Sequence, residues 1–245
     1  MEEPGPIQPL ELRQATGGRK GTTGVAQRGT GALGLVALPR LGRKRNVYEQ
    51  LGKRLIDLAI SLFLGVLALP LIAVIVLALQ VTTDLPVLFR QARVGLKGEA
   101  FTIFKFRTMY PDRRRQQIAD YQGPERRQRH KCPDDPRITP VGRFLRKWSL
   151  DELPQLWNVL RGDMSLVGPR PELVSIVHQY EPWQHERHVV KPGVTGLCQI
   201  SGQRDGLMHE HVELDLAYID QLSLKTDLRI LFKTVIAVMG KSRGY

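Results

Sequence analysis

Cysteine is scarce in this chain: Cys132 and Cys198 are the two among 245 residues. Two thiols so far apart build neither a disulfide framework nor a zinc cluster, so they read as reduced thiols in a cytosol-facing protein. Acidic residues are also few. Asp and Glu number 24 against 36 Lys and Arg, a formal net charge of +12, which points to nucleotides, phosphates or an acidic membrane surface as partners. Aromatic residues are only 7% and do not interleave with the basic ones as in surfaces that stack nucleobases. With no nucleic-acid-binding motif either, nucleic acid is not an expected partner. A cleavable signal peptide is not expected, because residues 1–30 lack an apolar core and "ALGLVALP" (32–39) leads straight into Arg40 and "GRKR".

What is present divides the chain into three. Residues 1–46 are rich in Gly, Thr and Arg without periodicity, the composition of a disordered basic tail or of a peripheral membrane-tethering arm. Residues 47–83 contain "LAISLFLGVLALPLIAVIVLALQV" (58–81), which has no charged residue. As a helix it reaches roughly 36 Å, enough for a hydrocarbon core of about 30 Å. Pro70 sits at its centre, where it removes a hydrogen bond to Val66 and pushes on the preceding turn. The flanks are basic on both sides, "GRKR" and "GKR" before, Arg90, Arg93 and Lys97 after, which favours both ends in the cytoplasm. A re-entrant hairpin satisfies the kink and the charges together; a kinked single span is the alternative.

Residues 84–245 hold enough apolar sequence for a globular core, the whole chain being 42% hydrophobic. "PVLFRQARVG" and "AFTIFKFRTM" read as two strands of a β-hairpin turning near "GLKG". The run 112–131 is dense and basic, either a solvated segment or a contact for acidic headgroups. Helices are expected over 141–147, from the acidic pair to Gly162, and along "ELVSIVHQYEP". A last one begins at Thr226 as N-cap, basic and amphipathic, suited to a membrane surface or to packing on the domain. "HERH" (185–188) and "HEH" (209–211) lack the further ligands of a zinc site, and surface or packing roles are expected for them.

The acidic pair lies in "SLDELPQLWN" (149–158). The pattern fits a capping box, with Ser149 as cap and Glu152 folding back, but Pro154 would then occupy a position that needs an amide donor. A helix starting near Asp151 tolerates the proline and places Asp151 where the helix dipole favours its charge. Such a carboxylate suits metal binding or nucleophilic attack. Arg143, Arg146, Lys147 and Arg170 supply cations for a diphosphate, and in "GPRP" the prolines preset Arg170.

The ordered segments "RQARVG", "FTIFKFRTM", "DPRITPVGRFLRKWSLDELPQLWNVLRGDMSLVGPRPE" and "KPGVTGLCQISG" closely resemble the bacterial sugar transferases that are monotopic phosphoglycosyl transferases. The resemblance runs from about Lys53 to the C-terminus, and "LDELPQLWNVLRGDMSLVGPRP" is its most specific part. The family usually has Ser-Pro at its helix break, where this chain has Leu69-Pro70. The resemblance implies transfer of a sugar 1-phosphate from a UDP-sugar to undecaprenyl phosphate with release of UMP. It implies Asp151 as nucleophile and, with Mg²⁺, as metal ligand, and Glu152 as positioner of metal or protons. Lys105, Arg107, Arg146 and Arg170 match basic positions taken as phosphate contacts.

The expected fold is mixed α+β, mainly α: a re-entrant membrane helix hairpin, a small β-hairpin and interfacial amphipathic helices around a compact cytosolic catalytic domain. Its expected place is the inner membrane of a bacterium, with the catalytic domain on the cytoplasmic face and anionic lipids in contact. A non-catalytic scaffold of the same fold would lack the acidic pair, and the pair is intact. Neither the sugar nor an oligomeric state is encoded in any pattern found here.

Overall fold

A computed structural model describes residues 45–83, 86–110, 137–201 and 211–240. Residues 1–44 of the basic tail, the basic run at 112–131, Cys132 and most of "HEH" lie outside them. Helical backbone begins with a π turn at Tyr48–Gly52 and continues as α1, Lys53–Thr82. Helix α1 stays helical through Pro70. Its buried residues are Lys53, Asp57, Ser61, Ile75 and Leu79, so both ends are covered while Leu62, Phe63, Val66, Leu67, Leu69 and Leu71 are exposed.

The expected hairpin forms. Strands β1 (Leu88–Val94) and β2 (Ala100–Phe106) pair antiparallel from Leu88↔Phe106 to Val94↔Ala100. A tight turn at Leu96–Gly98 joins them, with Lys97 at φ 56 and Gly98 at φ 80. The hairpin leads through a bridge between Met109 and Ile138 into α2, Pro140–Lys147. Thr139 caps α2 by accepting the Gly142 N–H, and Pro140 fills the first turn, where no donor is missed.

Beyond the acidic pair comes α3, Gln155–Arg161, closed by Gly162 at φ 95. Then follow β3 (Ser165–Val167), β4 (Glu172–Leu173), the single turn α4 (Val174–Val177), and a 3₁₀ stretch at Pro182–Val189. The helix expected along "ELVSIVHQYEP" is therefore short, stopping before Glu181 and Pro182. Strand β5 (Gly193–Thr195) pairs in parallel with β3, and β4 adds to the free edge of β1. Helices α5 (Leu197–Ile200), α6 (Val212–Asp220) and α7 (Leu224–Met239) complete the described chain. The N-cap of α7 is Ser223, whose hydroxyl accepts the Thr226 N–H; Thr226, expected as the cap, lies in the first turn.

Two apolar clusters form the core. The larger gathers Ile103, Val159, Met164, Leu166, Val167, Val189, Val190, Tyr218, Ile219, Leu222 and Ile230, with Tyr48 and Ile60 at its rim. The smaller joins Ile75 and Leu79 of α1 to Phe106 and Leu145, flanked by Leu150 and Leu153. Strand β2 serves both, through Ile103 and Phe106, and so carries Lys105 between them.

Polar contacts tie α1 to the same body. Arg54 donates to the carbonyls of Val159 and Leu160 at 2.6 and 2.9 Å, covering the open end of α3. Asp57 accepts the Leu166 N–H at 3.0 Å. Buried Asp227 accepts from Lys53 Nζ (2.5 Å), Tyr48 (2.7 Å) and Tyr218 (2.8 Å).

Candidate active site

Asp151 and Glu152 occupy a 3₁₀ turn, Leu150–Glu152, between α2 and α3. Ser149 ahead of it has φ 55, a left-handed backbone that costs a non-glycine residue about 1–2 kcal/mol. This bend reverses the chain so that the pair faces β2 rather than prolonging α2. Strain of this kind concentrates at functional sites.

The expected helix start at Asp151 is not what forms. Pro154 is the N-cap of α3, which begins at Gln155, and Ser149 makes no capping hydrogen bond through its side chain. The Glu152 carboxylate goes elsewhere. Its Oε1 accepts from Lys105 Nζ at 2.7 Å and from Arg170 Nη2 at 3.0 Å. Charge-assisted bonds to two fixed cations outcompete folding back onto one backbone amide.

Lys105 is held where the bond needs it. Asn158 on α3 accepts the Phe104 N–H at 3.1 Å and donates to the Thr102 carbonyl at 2.7 Å, mimicking a further strand along β2. Arg146 donates from Nε to Thr108 at 2.8 Å and lies close enough to Asp151 to stabilise its charge. Lys105, Arg146 and Arg170, three of the four residues expected as phosphate contacts, thus converge on the acidic pair. Arg107 does not. Its guanidinium donates to the carbonyls of Pro86 (2.7 Å) and Leu88 (3.3 Å) and covers the Phe89 ring.

The two carboxyls differ sharply. Burial raises the proton affinity of Glu152, but Arg170 and Lys105 more than offset this and hold it well below the usual carboxylate range. Asp151 is pushed up to about 6, first by burial and then by the Glu152 charge, with Lys105, Arg146 and Arg170 opposing. The dipole-favoured ionisation expected for Asp151 is therefore reversed in direction, since it stands ahead of the helix and beside a second anion. Near neutral pH it is still mainly ionised. Among the described residues, no hydrogen-bond or ion-pair partner occupies its carboxylate.

Around Arg170 the backbone is compressed. A Cβ on Gly168 would lie 2.5 Å from the Lys191 carbonyl oxygen, and one on Gly193 would lie 2.1 Å from the Gly168 nitrogen. Only glycine permits the "GPRP" and "KPGVTG" segments to approach this closely.

The sequence reading missed Asn158, Arg93, Arg187, Glu172 and Asp215. Arg187 lies inside "HERH", which draws attention through its histidines. His188 is buried and stacks on Tyr180 with ring centroids 6.0 Å apart, a packing role as expected. No group of three or more potential metal ligands occurs among the described residues.

Comparison with known proteins identifies the family. The family model described as bacterial sugar transferase matches residues 48–241. The uncharacterised sugar transferase EpsL of Bacillus subtilis is 43% identical over 187 residues, 76% of this chain and 87% of that protein. A UDP-glucose:undecaprenyl-phosphate glucose-1-phosphate transferase of Caulobacter vibrioides is 39% identical over 219 residues, 86% of this chain and 78% of that protein. An undecaprenyl-phosphate galactose phosphotransferase of Salmonella typhimurium is 40% identical over 199 residues, 79% of this chain but 41% of that longer protein.

Proposed function

The chain belongs to the bacterial sugar transferase family, and on that premise we propose that it is a phosphoglycosyl transferase working through a covalent aspartyl intermediate. A UDP-sugar donates its sugar 1-phosphate to undecaprenyl phosphate, and UMP is released. An oxygen of Asp151 attacks the phosphorus of the sugar phosphate, and the bond to the bridging oxygen breaks, so that oxygen leaves with UMP. The acceptor's phosphate oxygen then attacks the same phosphorus and frees Asp151.

One observation carries this reading: an uncommitted carboxylate stands beside a neutralised one inside a ring of three cations. Glu152, tied to Lys105 and Arg170, keeps those cations in place without competing for phosphorus. Lys105, Arg146 and Arg170 offset the charge that gathers on the phosphate oxygens, and Arg170 offers a planar fork suited to them. Burial, and after it the Glu152 charge, holds Asp151 at an affinity for protons suited to attack near neutral pH.

The residues fit Mg²⁺ as the expected cofactor. Mg²⁺ takes hard oxygen ligands and is commonly held by one or two carboxylates plus substrate phosphates, and the Asp151 carboxylate is uncommitted. Asp151 is the ligand, with Glu152 beside it. When bound, the ion offsets charge on the diphosphate.

The membrane arrangement is read from both ends of α1. Arg54 docks on α3, and Ile75 and Leu79 pack with Leu145 and Phe106, so both ends engage one body. A helix crossing the bilayer would carry one end away from it. Two-ended docking, the exposed apolar middle and Pro70 support a re-entrant path, and the basic flanks on both sides of the apolar run support a cytoplasmic place for the catalytic body. Helix α7 exposes Leu228, Phe232, Val235, Ile236 and Met239 beside Lys225, Arg229 and Lys233, which supports contact with an anionic bilayer surface.

The decisive experiment supplies purified protein with Mg²⁺ and a labelled UDP-sugar but no lipid. About one equivalent of UMP and a labelled protein are expected for a double displacement. Release of UMP only after lipid is added would overturn the aspartyl intermediate.

A further inference from the structure

We propose that Arg187 and Arg93 are positioning residues that fix Arg170 by gripping the backbone carbonyls of the "GPRP" loop. This rests on the reading of Arg170 as a phosphate contact, and it explains how a loop residue stays placed to within a hydrogen bond.

Three consecutive carbonyls of the loop are held from different directions. The Pro169 carbonyl accepts the Gly193 N–H at 2.8 Å. The Arg170 carbonyl accepts from Arg187 Nη2 at 2.7 Å. The Pro171 carbonyl accepts from Arg93 Nη1 at 3.2 Å. Gly168 completes the set by donating to the Thr195 carbonyl at 2.9 Å. Prolines at 169 and 171 already restrict the residues before them, and these bonds fix the remaining freedom.

Each gripping arginine pairs with a buried acid, Arg187 itself buried and Arg93 partly exposed. Arg187, 2% exposed, pairs with Asp215 at 2.5 Å and donates to the Tyr180 hydroxyl. Arg93 pairs with buried Glu172 at 3.5 Å. A buried ion pair is poor evidence for stability, because apolar residues of similar volume often serve as well. What they cannot supply is a forked donor with an N–H left over. At Arg187 that surplus N–H goes to Arg170, whose side chain reaches Glu152 18 residues earlier. The chain of contacts runs Asp215, Arg187, Arg170, Glu152, and ends beside Asp151.

The test separates positioning from stability. Arg187→Met combined with Asp215→Leu removes both charges together and keeps volume, so the protein stays folded. Arg187→Lys is the second variant, keeping the ion pair but losing the fork. In each, lipid-independent UMP release should fall about 10- to 100-fold, as for an active group displaced by about 1 Å. The loss should lie in the rate and not in KM. In an Arg170→Ala background the same changes should add less than about twofold, because neighbours that act through one another are not additive. Hydrogen exchange of the Gly168–Leu173 peptide should lose protection in both variants, a readout that does not depend on turnover. Equal fold-losses with and without Arg170, or unchanged exchange in a folded variant, would overturn the proposal. Failure of the wild type to release UMP would count against the functional reading alone, leaving the exchange result to decide the clamp.

Discussion

Arg170 and Glu152 meet at 3.0 Å across two different loops. The same Glu152 oxygen also takes Lys105 at 2.7 Å, so one carboxylate gathers two cations next to Asp151. Glu152 thereby adds to the effect of burial in raising the proton affinity of its neighbour, and it holds the two cations in place.

Asp151→Asn keeps the shape of the side chain and removes its nucleophilic charge. UMP release and protein labelling should both fall at least about 10⁴-fold, as when a covalent nucleophile is removed. Labelling that persists in this variant would assign the nucleophile elsewhere.

The Asp151 carboxyl, at about 6, must be ionised to attack. Single-turnover UMP release should therefore rise about tenfold per pH unit below 6 and level off above it. Glu152→Gln deletes the repelling charge and leaves Lys105 and Arg170 facing Asp151, so its residual activity should show a limb at lower pH. A limb that stays near 6 in that variant would mean that another group titrates.

Arg170→Lys conserves charge but not the fork. Lys cannot reach Glu152 and a phosphate in the same plane, and a loss of about 100-fold in turnover is expected. Near-normal rates would reduce Arg170 to a diffuse positive charge.

Asp227 takes three donors that come from α1, its leading turn and α6. Asp227→Ala leaves Lys53 buried without its acid and should cost about 3–5 kcal/mol. Thermal unfolding of the solubilised protein measures this, and a change below about 1 kcal/mol would show the hub to be dispensable.

Single cysteines near residues 46 and 100, labelled in intact cells, report the path of α1. A re-entrant helix leaves both protected from an impermeant reagent. Labelling of one alone would establish a span. Pro70→Leu restores a helical hydrogen bond and should move part of the population toward that span.

Sequence alone determined the features whose causes are local. The 24-residue apolar run, the hairpin from Leu88 to Phe106, a helix over 141–147 and the end of α3 at Gly162 follow from periodicity and turn residues within a few positions. The acidic pair and the cations Lys105, Arg146 and Arg170 were legible as candidates too. Their partners were not. A capping box with Ser149 was the local option for Glu152, set against Pro154, and nothing nearby in sequence pointed to the donors that β2 and the "GPRP" loop bring from 47 and 18 residues away. Asp227 binds Lys53 over a separation of 174 residues, and Arg187 looked like a member of a histidine motif. Hydrophobic pattern and capping act over about one helical turn, whereas a buried charge takes whatever partner the assembled core sets beside it. The choice among those partners, and with it the upward shift of Asp151, belongs to the tertiary structure.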